Sequence, residues 1–230
     1  MTVPGSTGTN SLIISNNPGL GTVFYRLACP AYTTAIFGIG DLIVLQVGNG
    51  SIASSGAPGF LNDYSPFGGA SVVQVALPTT GANALIFGAS SYDGVLSFSA
   101  DGKTLVVEGY NVPIGFTSAD LDSSSTTGST AVPRAVGSVN ASGTFTLNAT
   151  TTKFSGSTIR SAVTDGNGSF WAGGGSSGIV YLGANSAATT LSTGSSSTRN
   201  MAFVNGSIIS LAFAPSGDAF RGVAFAPTGN

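Results

Sequence analysis

Histidine does not occur in the 230-residue chain, and this absence excludes several common catalytic arrangements. Ser-His-Asp and Cys-His nucleophile pairs need a histidine, as do zinc and iron centres with imidazole ligands. The usual general base near neutral pH is missing for the same reason. Any acid–base catalysis would have to use the eight aspartates and the single glutamate, Glu108.

Cysteine occurs once, at Cys29. One cysteine forms neither an internal disulfide nor a thiolate metal cluster, and we interpret it as a small buried apolar side chain.

Long apolar runs are also missing from the sequence. The longest, Ala35–Val47, is interrupted by Gly38, Gly40 and Asp41 and is too short to cross a bilayer, so we expect no membrane insertion.

Charged side chains make up only 7% of the chain, against roughly 25% in an average soluble domain. The seven Lys and Arg residues are spread singly and the net charge is -2, so we expect neither nucleic acid nor an anionic membrane surface as a partner. The 34 glycines and the abundant Ser and Thr indicate a surface of hydroxyls, amides and backbone. Because such a surface repels its own copies weakly, the composition predicts a homo-oligomer or a larger assembly.

The first residues, Met1–Gly5, lack the basic region and the apolar run of a secretion signal. The composition, rich in Gly, Ser and Thr and poor in charge, is nevertheless typical of exported bacterial surface proteins. We therefore predict a secreted or cell-surface protein, with an export signal that is not present in this sequence.

Short apolar runs rich in Val, Ile, Thr and aromatic residues dominate the chain from residue 11 onward. They suit half-buried strands, and no window holds the apolar spacing of a long helix. The sequence predicts a flexible tail over residues 1–10 and a single all-β repeat domain over 11–230, with irregular loops at Gly50–Gly69 and 116–130. The predicted strands are Leu12–Ile14, Val23–Leu27, Thr33–Phe37, Leu42–Val47, Val72–Leu77, Ala84–Phe87, Val95–Phe98, Thr104–Val107, Ala131–Val139, Thr144–Leu147, Lys153–Phe154, Ile159–Val163, Ser169–Ala172, Ile179–Leu182, Thr189–Leu191, Met201–Val204, Ile208–Phe213 and Phe220–Phe225.

Five dipeptides between these runs carry turn chemistry. Asp or Asn followed by Gly favours the positive φ angles of a type I′ turn, so these sites predict tight hairpins and antiparallel meander sheets. The dipeptides are Asp93-Gly94, Asp101-Gly102, Asp165-Gly166, Asn167-Gly168 and Asn205-Gly206.

Two weak repeats accompany the turns. The form Phe-small-small-x-Gly-polar occurs at Phe98–Lys103 and returns in the segments that begin at Phe213 and Phe225. The form Arg-x-apolar-apolar begins at Arg160, Arg199 and Arg221, with a poorer copy at Arg134. Arg160 and Arg199 are 39 residues apart, close to the roughly 40–45 residues of one propeller blade.

Two segments resemble known repeats. Phe98–Leu105 (FSADGKTL) is similar to the strand-turn-strand of WD40-like and YVTN-type β-propeller repeats, and Ala162–Gly173 (AVTDGNGSFWAG) resembles a blade of regulator-type propellers. The closing segment Phe220–Pro227 resembles the last strand of exported bacterial propellers. This resemblance implies a β-propeller of about four to five blades, in which Phe98 is a core residue and Arg221–Phe225 completes a sheet with Val23–Leu27. A β-sandwich or jelly roll is the alternative arrangement of the same strands.

Few residues suggest chemistry. Glu108 together with Asp93 or Asp63 would supply the two carboxylates of a glycosidase, although Asp93 is already explained by its turn. The segments Asp120–Ser123 and Asp165–Gly168 offer oxygen ligands suited to Ca²⁺, but neither completes a calcium loop. We therefore assign no catalytic residue, metal site or cofactor.

Aromatic side chains are the remaining binding candidates, and we single out Tyr64, Phe67, Tyr110 and Trp171 for a glycan or a surface protein. Three functions stay open. The first is a non-enzymatic exported structural or binding protein that self-associates or binds a surface polymer through loops of a β scaffold. The second is a carbohydrate-active propeller enzyme that uses Glu108 and an Asp. The third is an incomplete or engineered propeller without an activity of its own.

Overall fold

The computed structural model describes residues 36–117, 119–183, 188–192, 198–204 and 207–210, all within the unit Thr33–Asn230. Several predictions concern segments outside these residues, and the domain boundaries stay predictions. The features outside are the 1–10 tail, the runs Leu12–Ile14, Val23–Leu27 and Phe220–Phe225, most of Thr33–Phe37, Cys29, Arg221, and the dipeptide Asn205-Gly206.

The described residues form thirteen strands and no helix, which confirms the all-β class. The strands are β1 (Leu42–Val47), β2 (Gly59–Tyr64), β3 (Val73–Ala76), β4 (Ser97–Phe98), β5 (Thr104–Tyr110), β6 (Arg134–Asn140), β7 (Phe145–Thr151), β8 (Ile159–Thr164), β9 (Phe170–Gly174), β10 (Ile179–Tyr181), β11 (Thr189–Ser192), β12 (Met201–Val204) and β13 (Ser207–Ser210).

Within each sheet, strands that are consecutive in the chain pair with each other, always antiparallel. The first sheet contains β1–β3, the second β4–β7 and the third β8–β11, while β12 and β13 form a separate pair. Each sheet is therefore a meander built from one continuous stretch of chain, as the sequence predicts.

The second sheet is buried on both faces. On one face, Leu105 and Val107 of β5 join a cluster that includes Leu61 of the first sheet. On the other, Val106 belongs to a cluster that contains Ala162 of the third sheet. Because neighbouring side chains of a strand point to opposite faces, the first, second and third sheets are stacked face to face. Each fully buried Val or Leu stabilises this stack by about 1.5–3 kcal/mol.

The third sheet packs in the same way against the following strand pair. The ring centre of Trp171 on β9 lies 5.4 Å from that of Phe203 on β12 and 5.3 Å from that of Tyr181 on β10. Gly173 faces Thr198 closely, so that a Cβ there would lie 2.6 Å from the Thr198 methyl carbon. The absence of a side chain at Gly173 lets the segment before β12 approach.

Strand β2 lies where the sequence predicts an irregular loop, so the Gly50–Gly69 prediction is wrong over these six residues. The strand contains Gly59 and the Asn62-Asp63 pair, which are residue types that favour loops. Gly59 is required because the Phe87 ring packs directly on its backbone. The Asn62 side chain donates to the Gln46 Oε1 (3.1 Å) and accepts from the Gln74 Nε2 (2.8 Å), which ties β2 to both neighbours.

The type I′ prediction is also wrong within the described residues, where only Phe154, Ser177 and Asn200 have positive φ apart from glycines. Three hairpins instead begin with a polar residue, Ser99, Asn140 or Asp165, whose side chain accepts backbone N–H groups across the turn. A glycine with positive φ follows three residues later in each case, at Gly102, Gly143 and Gly168. These are longer loops with a left-handed glycine near the end.

Three smaller expectations also differ. Phe98 is 63% exposed rather than part of the core, because β4 has only two residues and lies at the sheet edge. Lys153–Phe154 is a turn, in which Phe154 has a φ of 61° and a buried ring. Ala84–Phe87 forms isolated bridges, Ile86 to Tyr110 and Phe87 to Ala57, instead of a strand.

Candidate functional site

A cluster of titratable side chains lies at one end of the second sheet. Glu108 and Tyr110 stand on β5, and Arg134 is the cross-strand partner of Tyr110 at the start of β6. Asp93 comes from the loop before β4 and Asp122 from the long connection between β5 and β6. Two of these residues, Glu108 and Asp93, are the carboxylate pair that the sequence suggests for a glycosidase.

Tyr110 links a cation to a carboxylate. Its hydroxyl donates to the Asp122 Oδ1 at 2.7 Å, and the guanidinium carbon of Arg134 lies 4.9 Å from its ring centre. The second carboxylate oxygen of Asp122 accepts the Ser90 N–H at 2.8 Å. Burial, followed by the charges of Asp93 and Asp122, raises the pKa of the phenol far above its ordinary value. Tyr110 therefore stays a neutral hydrogen-bond donor.

Arg134 is fully buried and uses all five of its N–H groups. They donate to the carbonyl oxygens of Ser124, Val132 and Ser157 and to the Ser124 hydroxyl, at distances of 2.6–3.2 Å. Burial lowers the pKa of the guanidinium, and the neighbouring Tyr110 and Asp122 oppose that shift. One side chain thus connects β6 with the segments around residues 124 and 157.

Glu108 is fully buried, with one oxygen paired and one not. Its Oε1 accepts the Val95 N–H at 2.9 Å, whereas Oε2 has no hydrogen-bond partner. Burial raises the pKa of Glu108 to about 8, helped by the charge of Asp93. Burial likewise raises the pKa of Asp93 to about 7. The hydrogen bond that Asp93 accepts from the Gly88 N–H, at 2.8 Å, lowers this pKa but does not cancel the effect of burial. Near neutral pH, Glu108 is therefore mostly a neutral acid.

The raised pKa values of Glu108 and Asp93 resemble those of a catalytic acid–base pair, but a substrate cannot reach the Glu108 carboxyl group. A glycosidase carboxyl group must reach the scissile bond from an open cleft. Glu108 has no exposed surface, so its carboxyl group contacts no substrate in this conformation. An open cleft of about 500 Å³ is lined by Pro133, Thr150, Thr151, Thr152, Lys153 and Ala188, none of which is acidic.

Asp63 lies apart from this group, on β2. It is buried, its Oδ2 accepts the Gly38 N–H at 2.8 Å, and its Oδ1 has no partner. Partial burial and the neighbouring Asp63 carboxylate raise the pKa of Asp41. The two carboxyl groups form a like-charged pair at the end of the first sheet.

The two calcium candidates have local roles. Asp120 accepts the Asp122 N–H, and Asp165 accepts the N–H groups of Asn167 and Ser169 across the β8–β9 turn. Across the described part of the chain, no group of three or more acidic, His or Cys side chains is placed to hold a metal ion.

The aromatic candidates do not share one surface. Tyr64 is half-buried at the end of β2, and Phe67, in the turn that follows, is 97% exposed. Trp171 is half-buried between two other aromatic rings of the third sheet and β12. Tyr110 is fully buried, so its prediction as a binding residue for a glycan or a surface protein is wrong. Its ring packs in the core and its hydroxyl donates a hydrogen bond to Asp122.

The surface that the sequence reading missed is one side of the first sheet, which we call the outer face. Leu42 and Val44 on this face are 57% and 48% exposed, although their neighbours on β1 point into the core. The sequence of β1, LIVLQV, could have indicated this face, because apolar residues stand at positions that point to both faces of the sheet. By strand register, the outer face comprises Leu42, Val44, Gln46, Phe60, Asn62, Tyr64, Gln74 and Ala76.

Comparison with known proteins returned no match: no family model, curated protein or solved structure is similar to this chain. The propeller resemblance therefore depends on the segments that carry it. Within the described ranges, no helix has the length and apolar character to cross a membrane.

Proposed function

We propose that this chain is a non-enzymatic scaffold protein that associates with copies of itself through the outer face of its first sheet. The supporting observation is the exposure of Leu42 and Val44 on a sheet whose opposite face is core. An apolar sheet face left open to water is typical of an interaction site. Tyr64 lies at the end of this face, and the exposed Phe67 follows three residues later in the adjoining turn.

A second copy is the occupant that this face fits. It carries no charged side chain, so two copies meet without like-charge repulsion. Its centre is the row Gln46–Asn62–Gln74, in which Asn62 is buried and bonded to both glutamines. The exposed Gln46 and Gln74 amides each carry donors and an acceptor, so they can pair with the same groups of a second copy. The other sheets of the protein already bury such faces against one another.

The stacked meander sheets also favour a β-propeller over a β-sandwich. In a two-layer sandwich each sheet keeps one face open, whereas the second sheet here is covered on both. We infer that the sheets are blades of a propeller of about four to five blades, with the outer face of the first sheet as the contact between copies. A secreted or cell-surface location, proposed from the composition, agrees with such an assembly.

The carbohydrate-active alternative keeps one favourable observation, the closeness of Asp93 to Glu108. Burial of Glu108 argues against it, because a substrate would reach the carboxyl group only after the second sheet opened. Binding of a glycan or another surface protein remains compatible with the scaffold proposal.

Replacing Val44 by Glu tests the association. A carboxylate buried at the contact costs several kcal/mol, so the dissociation constant should rise roughly a hundredfold or more. Analytical ultracentrifugation over a concentration series measures this constant for the wild-type and V44E proteins.

Phe98→Glu is the matched control, since Phe98 is an apolar side chain of the second sheet that is 63% exposed, against 48% for Val44. It should associate like the wild type, and circular dichroism should show the same strand content for all three proteins. A wild-type chain that stays monomeric, or a V44E variant that associates as tightly as F98E, contradicts the proposal.

A further inference from the structure

Two carboxyl groups meet at one glycine at the end of the first sheet. The Gly38 N–H donates to the Asp63 Oδ2 at 2.8 Å, and a Cβ at Gly38 would collide with the Asp41 Oδ2. Both carboxyl groups therefore lie directly against the same stretch of backbone. Asp41 precedes β1 and Asp63 belongs to β2, so the contact joins two separate segments of the chain.

A tight turn and a strand pair bring these carboxyl groups together. The Asp41 N–H donates to the Gly38 carbonyl oxygen at 3.2 Å, which closes the turn before β1. Asp63 lies on β2 opposite Ile43 of β1. Because side chains alternate along a strand, Asp63 points to the same side of the sheet as the buried Leu61. The turn thus places the Asp41 carboxyl group beside one that faces the interior.

The buried oxygen of Asp63 is the feature that points to a ligand. The Asp63 side chain has no exposed surface, yet its Oδ1 has no hydrogen-bond partner. Such an oxygen is unfavourable, because the carboxyl group has lost contact with water without gaining a donor. Among the described residues, neither Asp41 nor Asp63 forms an ion pair with Lys or Arg. No described cation therefore balances the two carboxylates.

The neighbouring carboxylates also repel each other. Partial burial, followed by the charge of Asp63, raises the pKa of Asp41. Asp41 is half-buried whereas Asp63 is enclosed, so water reaches the pair from the Asp41 side. A cation that enters from this side would remove the repulsion and bond the free Asp63 oxygen.

We propose that Asp41 and Asp63 bind a Ca²⁺ ion at the end of the first sheet. Ca²⁺ prefers oxygen ligands and completes its shell with backbone carbonyl groups and water in flexible geometry. This flexibility matters, because no third acidic, His or Cys side chain joins the pair within the described residues. Mg²⁺ fits less well, since it demands near-ideal octahedral geometry, and Zn²⁺ is bound mainly by nitrogen and sulfur ligands.

Isothermal titration of the full chain with CaCl₂ at neutral pH measures this site. With only two carboxylates, the dissociation constant should be about 0.1–1 mM, the range of extracellular calcium modules. CaCl₂ at about 10 mM should then raise the midpoint of thermal unfolding by about 3–10 °C. The same concentration of MgCl₂ should raise the midpoint less.

Asp41→Asn removes one ligand charge with little change in size. Because Asp41 is half-buried and repelled by Asp63, the variant should fold, and its calcium affinity should fall about tenfold or more. Asp63→Asn should weaken binding at least as much. Asp120→Asn is the matched control. Asp120 is exposed and belongs to one of the two calcium segments predicted from sequence, and an Asn there can still accept the Asp122 N–H.

The variants decide between the possible outcomes. A wild-type chain without binding heat or a midpoint shift would overturn the site, as would a calcium response that persists in D41N or is lost in D120N. A wild-type midpoint that rises on mild acidification but not with CaCl₂ would show that the pair shares a proton instead of binding a cation. Val44 and Asp63 point to opposite faces of the first sheet, so V44E should bind Ca²⁺ normally, and the site and the self-association can fail independently.

Discussion

At the scale of single residues, the least expected feature is the charge buried in the second sheet. Arg134 is a poorer copy of the arginine repeat in sequence, yet it makes five hydrogen bonds and has no exposed surface. Removing it would leave four partly or fully buried oxygen atoms short of donors, which is a large destabilising change. Its importance comes from the three segments that it joins.

Glu108 should make the protein less stable as the pH rises. Its pKa is 4.5 in the unfolded chain and about 8 in the folded one, so folding binds a proton between these values. The stabilisation is complete below about pH 4.5 and is lost, at about 1.4 kcal/mol per pH unit, as the pH rises through about 8. Asp93, with a folded pKa of about 7, adds a slope of the same sign. Urea unfolding at about pH 5 and about pH 9 should show this fall, and Glu108→Gln should reduce it.

Asp101→Asn is the control for the pH series. Its hydrogen bond from Ser99, with further help from Lys103, lowers the pKa of Asp101 to about 2. The carboxylate is therefore ionised throughout the range, and the substitution should leave the slope unchanged. A wild-type protein that becomes more stable between about pH 5 and about pH 9 would contradict the assignment.

The sequence identifies residues of this cluster but not their role. Glu108 stands out because it is the only glutamate, and Asp93 because it precedes a glycine. Neither property shows whether a carboxyl group faces water or the core, since that depends on the β5–β6 connection and on which sheet covers β5. Tyr110 was placed among the surface candidates for the same reason.

At the scale of elements, prediction succeeds where apolar residues form an uninterrupted run. Strand β1 begins and ends at the predicted residues, and β12 does so as well. It fails at β2, where the polar side chain of Asn62 is hydrogen-bonded to the neighbouring strands. The sequence alone does not show that these partners will lie beside it. The turns show a related limit. At Gly102 the sequence pattern points to the adjacent Asp101, whereas Ser99, three positions before the glycine, accepts two backbone N–H groups across the turn.

Ser99 should stabilise the β4–β5 hairpin more than its small size suggests. Its buried hydroxyl donates to Asp101 at 2.7 Å and accepts the N–H groups of Lys103 and Thr104 at 3.1 and 3.0 Å. Ser99→Ala removes these three contacts and takes the acceptor from the Thr104 N–H, so it should lower the free energy of unfolding by about 1–2 kcal/mol. Urea unfolding of the variant and the wild type measures the difference.

Ser142 provides the comparison for this hairpin. Ser142 is half-buried in the β6–β7 turn, and the hydrogen bond that its hydroxyl donates to the Asn140 Oδ1, at 2.7 Å, is open to water. Ser142→Ala should therefore change stability by only about 0.5 kcal/mol or less. If the two substitutions lowered the free energy of unfolding equally, burial would not explain how much the Ser99 contacts stabilise the hairpin.

At the scale of the whole molecule, composition and turn signals suffice for an all-β meander but not for its stacking. Which sheet covers which face is determined by alternating side chains from segments more than 40 residues apart, such as Leu61 and Leu105. No short pattern in the sequence records such pairs. The Arg-x-apolar-apolar repeat is visible in the sequence because Arg160 and Arg199 each stand close to the start of the first strand of a sheet.

Low-resolution imaging separates the possible shapes. If two copies associate through their outer faces, wild-type particles should contain two chains joined at their first sheets, and V44E particles should contain one chain. A closed ring formed by one chain would support the propeller but contradict the association, and a flat two-layer particle would contradict both. Particle mass from light scattering distinguishes one chain from two.

The meander topology also has a consequence for synthesis of the chain. Each sheet is made from one contiguous stretch, so all its strand partners have left the ribosome once its last strand has emerged. The first sheet can then serve as a template on which the second condenses, and the second as a template for the third. Folding can thus proceed vectorially from the amino-terminal side, each new layer shielding the apolar surface of the one before it.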